Sequence, residues 1–435
     1  MKKEKITYII LIVNFYLSMF SLLFLKWISN AEILYYTNVL FTIIVLLINF
    51  SNIRIKRSYI SLLFIFSIYA IINLLITPNH PFFISYFVKQ TIIPYLSVIL
   101  TINLISDEEQ MKKKILTPSF IFFNLYYIIN LFIILKQIEN PSFMLRNYTT
   151  NNFYKDHIDG LLGPNGTHRL AYFQLFCLYL NIMFFNSKNK IFRIISKIMF
   201  IFILITSCYV SVFNDNRMYF FLVVIYLIPF INIRRPFKKK DAKRIVNGKK
   251  LMKSIMVITA VLLAFFLVFN ISEKFNDFIR TQIYEGYILK TYNKITGSLN
   301  DGNSSKEERV ELLRYAITEG KMTGKGIGVV TQGNSDVVRR HFGLNDMNIR
   351  IYSGGIIFAI ILLIIYTKTY SEMVKNVSSI RKRIIKLYML ATVLLSSIYF
   401  QTFTYPSQTM IFSVIYLLMA HNYNQSNNVE SREKM

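Results

Sequence analysis

The stretch SVFNDNRMYFFLVV, residues 211–224, sets an acid and an arginine, Asp215 and Arg217, inside a long apolar run. A charge at mid-bilayer costs about 3 kcal/mol or more, so such residues either serve a site or mark a turn at a membrane surface. Asn-Asp-Asn is turn chemistry, because these side chains bond the local backbone. Arg217 then opens the next apolar block, where a long cationic side chain can also reach up to the interface. Among the arginines of the expected external connections and helix mouths are also Arg169, Arg309, Arg314, Arg339, Arg340 and Arg350. A guanidinium group stays charged and grips phosphate with two parallel hydrogen bonds, so the set suits a phosphate-bearing lipid, and it suits ordinary headgroups as well. Asp215, Asp346 and His341 are the titratable side chains available as a general base among them.

Other chemistries are poorly served. The glycines of GKMTGKGIGVV invite a phosphate-loop reading, but Gly326 follows Lys325 where that loop needs Ser or Thr. Glycines so spaced more simply let backbone run close to a neighbour or a ligand. Four of the five histidines, His80, His157, His168 and His341, fall in expected external segments without paired metal-ligand spacing, so no metal site is expected. The two cysteines, Cys177 and Cys208, each lie inside an apolar block and read as packing residues. The net charge of +27 accompanies no nucleic-acid module, and nucleic acid is not an expected partner.

The elements that must position these residues are membrane helices. Of 435 residues 54% are hydrophobic, and they come in runs of about twenty rather than at amphipathic spacing. The runs fall at about 6–25, 33–50, 59–76, 88–105, 115–135, 168–186, 194–213, 218–233, 251–270, 351–367, 384–403 and 408–421. The expected fold is therefore all-α, a single polytopic membrane domain over 1–435 with about 12 transmembrane helices. The opening MKKEK and the run after it read as an uncleaved first helix. If the N-terminus is cytoplasmic and connections alternate, 31 of the 50 Lys and Arg fall inside, RRPFKKKDAKR at 234–244 among them. Lys and Arg hold loops on the cytoplasmic side, so both termini are expected there. One large external loop, about 271–350, then joins helices nine and ten. Within it SSKEERVELLRYAITEG reads as a helix, capped by Ser304 or Ser305, ended by Gly320, with an apolar stripe of Val310, Leu313 and Ile317. Such a helix must lie on the interface or on the tops of the membrane helices.

In order and spacing the chain resembles Wzy-type polysaccharide polymerases and the related O-antigen ligases. The resemblance is carried by GLLGPNGTHRLAYF with Asn165 and Arg169, by the turn FNDNRMYF with Arg217, by RVELLRYAITEGKMTGKGIG with Arg309 and Arg314, and by HFGLNDMNIRIYSGGIIFAI with Arg350. It spans nearly the whole chain. Ligase-like members carry His-Asn just ahead of the closing helix, whereas here His341 stands earlier and Asp346 lies nearer. That departure tilts the reading towards a polymerase. The resemblance implies an enzyme of the bacterial cytoplasmic membrane, with its active site facing outside. Its substrate would be a polyprenyl-diphosphate-linked oligosaccharide, needing neither metal nor nucleotide cofactor. Arg217 and Arg169 would stabilise the diphosphate, and Arg309, Arg314, Asn165 and Arg350 would bind substrate. Asp215, Asp346 or His341 would act as base. Membrane lipid, a flippase and a chain-length regulator are the implied partners. A ligase and a flippase are the alternatives; a flippase should show internal repeats and short external loops.

Overall fold

The computed structural model describes residues 57–77, 87–92, 94–96, 115–140, 142–144, 158–163, 167–185, 187, 189–214, 216, 219–220, 222–223, 305–329 and 346–372, with isolated positions within 9–23, 40–47, 277–289 and 393–397. Among the described residues there are helices and turns and no strand. Six α-helices have described bounds: α1 (Arg57–Ile76), α2 (Thr117–Glu139), α3 (Thr167–Phe184), α4 (Lys190–Phe213), α5 (Ser305–Gly320) and α6 (Asp346–Glu372). The expected runs at 59–76, 115–135, 168–186, 194–213 and 351–367 are all helical, and the helix expected in the long loop is α5. The expected runs at 33–50, 218–233 and 384–403 lie mostly outside the described residues, and those at 251–270 and 408–421 wholly so.

Among the described residues three helices are long and apolar enough to cross a membrane: α2, α4 and α6. At 1.5 Å per residue α2 and α4 are each about 35 Å long, against a hydrocarbon layer of about 30 Å. Their burial pattern makes the same point. Helix α4 turns Ser196, Ser207 and Ser211 inward and Ile191, Ile194, Ile198, Ile201 and Ile205 outward. Helix α1 likewise exposes Phe64, Ile65, Ile68, Ile71, Ile72 and Leu75 while burying Asn73. Polar inside and apolar outside is the reverse of a water-soluble helix, and lipid is the solvent that allows it.

Helices α2, α3 and α4 form one bundle, joined by polar contacts. Asn124 of α2 and Asn181 of α3 exchange amide hydrogen bonds (Asn181 Nδ2 to Asn124 Oδ1, 2.8 Å). Each amide nitrogen also bonds the carbonyl four residues back in its own helix. The Tyr127 hydroxyl reaches Thr206 and Ser207 of α4 at 2.7 and 2.9 Å. The first helix runs parallel to α2, since Tyr16 meets Ser119 and the Leu23 carbonyl accepts from Tyr126. Helices α2 and α3 are antiparallel: Phe120, early in α2, packs on Phe184 at the end of α3 with ring centroids 4.4 Å apart.

The chain divides into two compact units, 1–225 with 308–435, and 226–307. Nearly all of α5 and the glycine turn after it thus belong with the membrane helices. The smaller unit contributes few described positions, among them an exposed Arg280–Glu285 ion pair at 3.3 Å.

Candidate functional site

Helix α6 is not one straight rod. Gly355 holds φ 81°, ψ 174°, a conformation open almost only to glycine, and it divides the element into 346–353 and 356–372. Asp346, Met347 and Arg350 from the first part line one cavity with Ala359, Leu362, Leu363 and Tyr366 from the second, joined by Ser397. In an unbroken helix Arg350 and Tyr366 would lie about 24 Å apart. The first part is therefore folded back alongside the second, and the helical run expected at 351–367 carries a break at Gly355. The uninterrupted apolar stretch begins only at Ile356.

The break is closed by the glycine turn that follows α5. Lys325 and Gly326 donate their N–H groups to the Tyr352 and Ser353 carbonyls, both at 2.9 Å. Ile356 and Ile357 donate theirs to the Lys321 and Met322 carbonyls at 3.1 and 3.4 Å. The backbone groups orphaned by the break thus find partners in protein, as burial demands. This contact needs bare backbone. A Cβ on Gly320 would run into the Ile351 carbonyl, and one on Gly355 into that of Met322. The close-approach reading of these glycines is what the structure places here.

Helix α1 seals the assembly with two side chains. Asn73 donates from Nδ2 to the Thr323 carbonyl at 2.5 Å, and its Oδ1 accepts from the Ile327 N–H at 2.9 Å. The Tyr69 hydroxyl donates to the Gly354 carbonyl at 2.6 Å. Helix α5 packs down through Ala316 onto Ile349, Ile351 and Ala359. Among the residues of α5 whose burial is described, Leu312, Ala316 and Gly320 are buried and Ile317 is 42% exposed. Of the stripe expected at Val310, Leu313 and Ile317, Leu313 packs on this cluster, Ile317 turns outward, and the side chain of Val310 lies outside the described residues.

The cavity is small, about 20 Å3, room for about one water molecule, and most of its wall is apolar. Its charged groups are Arg350, 6% exposed, and Asp346, 3% exposed, one helical turn apart on the same face. Arg350 donates from Nη1 to the Thr91 hydroxyl, and its guanidinium lies 5.9 Å from the Phe358 ring centroid. Thr91 stands in a single π-helical turn, Val88–Ile92. Asp346 occupies the first turn of its helix, where the helix dipole favours an anion.

The second group of expected residues gathers at the far end of α2. Gly160 and Leu161 donate to Gln137 Oε1 and Asn130 Oδ1 at 2.8 and 2.7 Å, bolting the GLL turn to α2. Asn214 Nδ2 reaches the Ile158 carbonyl at 3.3 Å and the buried Asp159 carboxylate at 3.5 Å. Asn216 Nδ2 reaches the Thr167 carbonyl at 2.8 Å. The two stretches singled out in the sequence, GLLGPNGTHRL and FNDNR, are thus tied to each other, with half-buried Arg169 in the first turn of α3. Asn165, Asp215, Arg217 and His341 lie outside the described residues, as does the side chain of Arg309. Arg314 is exposed on α5 and does not line the cavity. Sequence reasoning missed Thr91, Asn73, Asn130, Gln137 and Asp159. The available signal was the cost of a lone polar residue inside an apolar run.

Among the described residues no cluster of side chains could hold a metal ion. No family model, curated protein or solved structure matches the chain.

Proposed function

We propose that the chain is a membrane-embedded polymerase that joins polyprenyl-diphosphate-linked oligosaccharide units at the outer face of the bacterial cytoplasmic membrane. The observation that carries this reading is a buried arginine and a buried acid sharing one largely apolar cavity. Ionisable groups at membrane depth mark substrate sites, and this pair suits an anionic lipid undergoing acid–base chemistry. The acceptor sugar hydroxyl attacks the anomeric carbon of the donor, and the bond from that carbon to the diphosphate oxygen breaks. The hydroxyl proton passes to Asp346, and the negative charge left on the diphosphate is met by Arg350. Arg169 and Arg217 bind the phosphates of the same carrier, with Asn165, Arg309 and Arg314 on the glycan. Asp215 and His341 are the other bases open to the reaction. The donor is already activated, so neither metal nor nucleotide enters. In this reading about 12 helices cross the membrane, both termini are cytoplasmic, and the segment 271–350 is external. A flippase and a chain-length regulator act beside it.

One observation favours a flippase instead: broken helices line the substrate paths of many transporters. Here, however, the backbone groups at the break bond the 321–326 turn and are not left open to coordinate an ion. The test uses purified protein in liposomes supplied with lipid-linked repeat units. A ladder of longer glycans from wild type, lost in Arg350→Ala with single units remaining, is the expected result. Transfer of the lipid between leaflets without a ladder refutes the polymerase and favours the flippase.

A further inference from the structure

An arginine side chain turns about several bonds, so one that must meet a charge in a fixed place needs external restraint. Arg350 has it from two sides. Its Nη1 donates to the Thr91 hydroxyl, and its guanidinium stands over the Phe358 ring. Both restraints are themselves anchored. Phe358 stacks on Phe66 of α1 with centroids 5.0 Å apart, and Phe66 packs on Phe87 at 5.5 Å. Phe87 directly precedes the π-helical turn that carries Thr91. The contacts close a ring: Thr91 to Arg350, Arg350 to Phe358, Phe358 to Phe66, Phe66 to Phe87, and Phe87 back along the chain to Thr91. Thr91 is 1% exposed, and Phe66 and Phe358 are buried as deeply. A π-turn widens the helix by a residue, and such turns recur where a side chain must be re-aimed at a site. Thr91 does not line the cavity. It stands behind the arginine.

We propose that Thr91 is a positioning residue: its buried hydroxyl, set by the π-helical turn, holds the Arg350 guanidinium at the cavity wall. This rests on the functional reading above only for what the arginine then binds. Thr91→Val keeps the side-chain volume and removes the hydroxyl, whereas Thr91→Ser keeps the hydroxyl. Two measurements separate the inference from the reading. The first treats full-length protein with phenylglyoxal, which adds to free guanidinium groups, and follows Arg350 by mass spectrometry. A hydrogen bond to a charged group that is lost frees the arginine about tenfold, so modification should quicken by that factor in Thr91→Val and return to the wild-type rate in Thr91→Ser. Equal rates in all three proteins overturn the proposal whatever the protein does. The second measures binding of farnesyl diphosphate, by thermal shift, together with the glycan ladder. The expected result is about tenfold weaker binding and a shortened ladder in Thr91→Val, both restored in Thr91→Ser. Wild-type binding and turnover that survive Thr91→Val unchanged overturn the positioning role. Wild type that neither binds the diphosphate nor builds a ladder overturns the functional reading instead, while the modification rates still decide whether Thr91 holds the arginine.

Discussion

Gly355→Ala is the sharpest test of the folded-back architecture. At φ 81°, ψ 174° an alanine is strained by about 1–3 kcal/mol. Its Cβ would also overlap the Met322 carbonyl, which is backbone and cannot turn aside. Relief requires the 321–326 turn to move off the break, and that turn makes four backbone hydrogen bonds there. Each contributes about 0.5–1.5 kcal/mol net, so even partial loss brings the total cost to about 3 kcal/mol or more. At 1.4 kcal/mol per tenfold, the undocked form rises about a hundredfold. Hydrogen exchange followed by mass spectrometry reads this directly, in peptides that contain Ile356 and Ile357. Their amides should exchange about a hundredfold faster in Gly355→Ala than in wild type, while peptides from the middle of α2 stay protected. Unchanged exchange at 356–357 would mean that the turn does not close the break, and the cavity built on it would have no basis.

Other expectations follow from the same contacts. Asn73→Ala removes both bonds to the turn and leaves the Thr323 carbonyl and Ile327 N–H bare, at a cost of about 1–3 kcal/mol, visible as faster exchange at Ile327. Asn124→Ala and Asn181→Ala each orphan a buried amide, so a double-mutant cycle on thermal unfolding should show a coupling of about 1 kcal/mol and a double variant less damaged than the sum. Lys325 bonds Glu319 at 2.9 Å, and that bond raises the lysine pKa above its ordinary value. Because the folded value is the higher one, the contribution is complete at neutral pH and fades only as pH rises through the lysine range. Lys325→Met should therefore leave the pH dependence of the melting temperature unchanged below pH 9 and flatten it above.

Much of the frame was legible because lipid imposes a simple rule: one apolar run of about twenty residues, one helix. Helices α1 to α4 obey it, and α5 was legible from its Ser cap and Gly stop. The break in α6 was not, since IYSGGIIFAIILLIIY is apolar throughout and two adjacent glycines are tolerated in many membrane helices. Only the docked turn fixes Gly355 in its conformation, and that contact joins residues about thirty apart in the chain. The site was half legible. Asp346 and Arg350 announced themselves by charge, and the cavity brings them together. Their supports, Thr91 and Asn73, are single uncharged residues inside apolar runs, and nothing in residue type separates them from helix-packing polar groups. The stripe on α5 was legible in part: Leu313 joins the contact, while the closest approach to backbone falls to Ala316 and Gly320, small residues that an apolar stripe does not single out.

The supports share a chemistry that explains why amides recur. Irregular backbone buried away from water leaves both donors and acceptors unmet, and a carboxamide supplies both from two separate atoms, so one side chain can meet a carbonyl and an N–H at once. Asn73 satisfies a carbonyl and an N–H of the same turn at once. Asn130 and Gln137 do the equivalent work for the turn at 160–161, each accepting from a backbone N–H. Neutrality matters as much as bonding capacity. A carboxylate at position 73 would repel the Thr323 carbonyl. An ionised acid there would also have no proton to give that carbonyl, so only the amide can serve both partners.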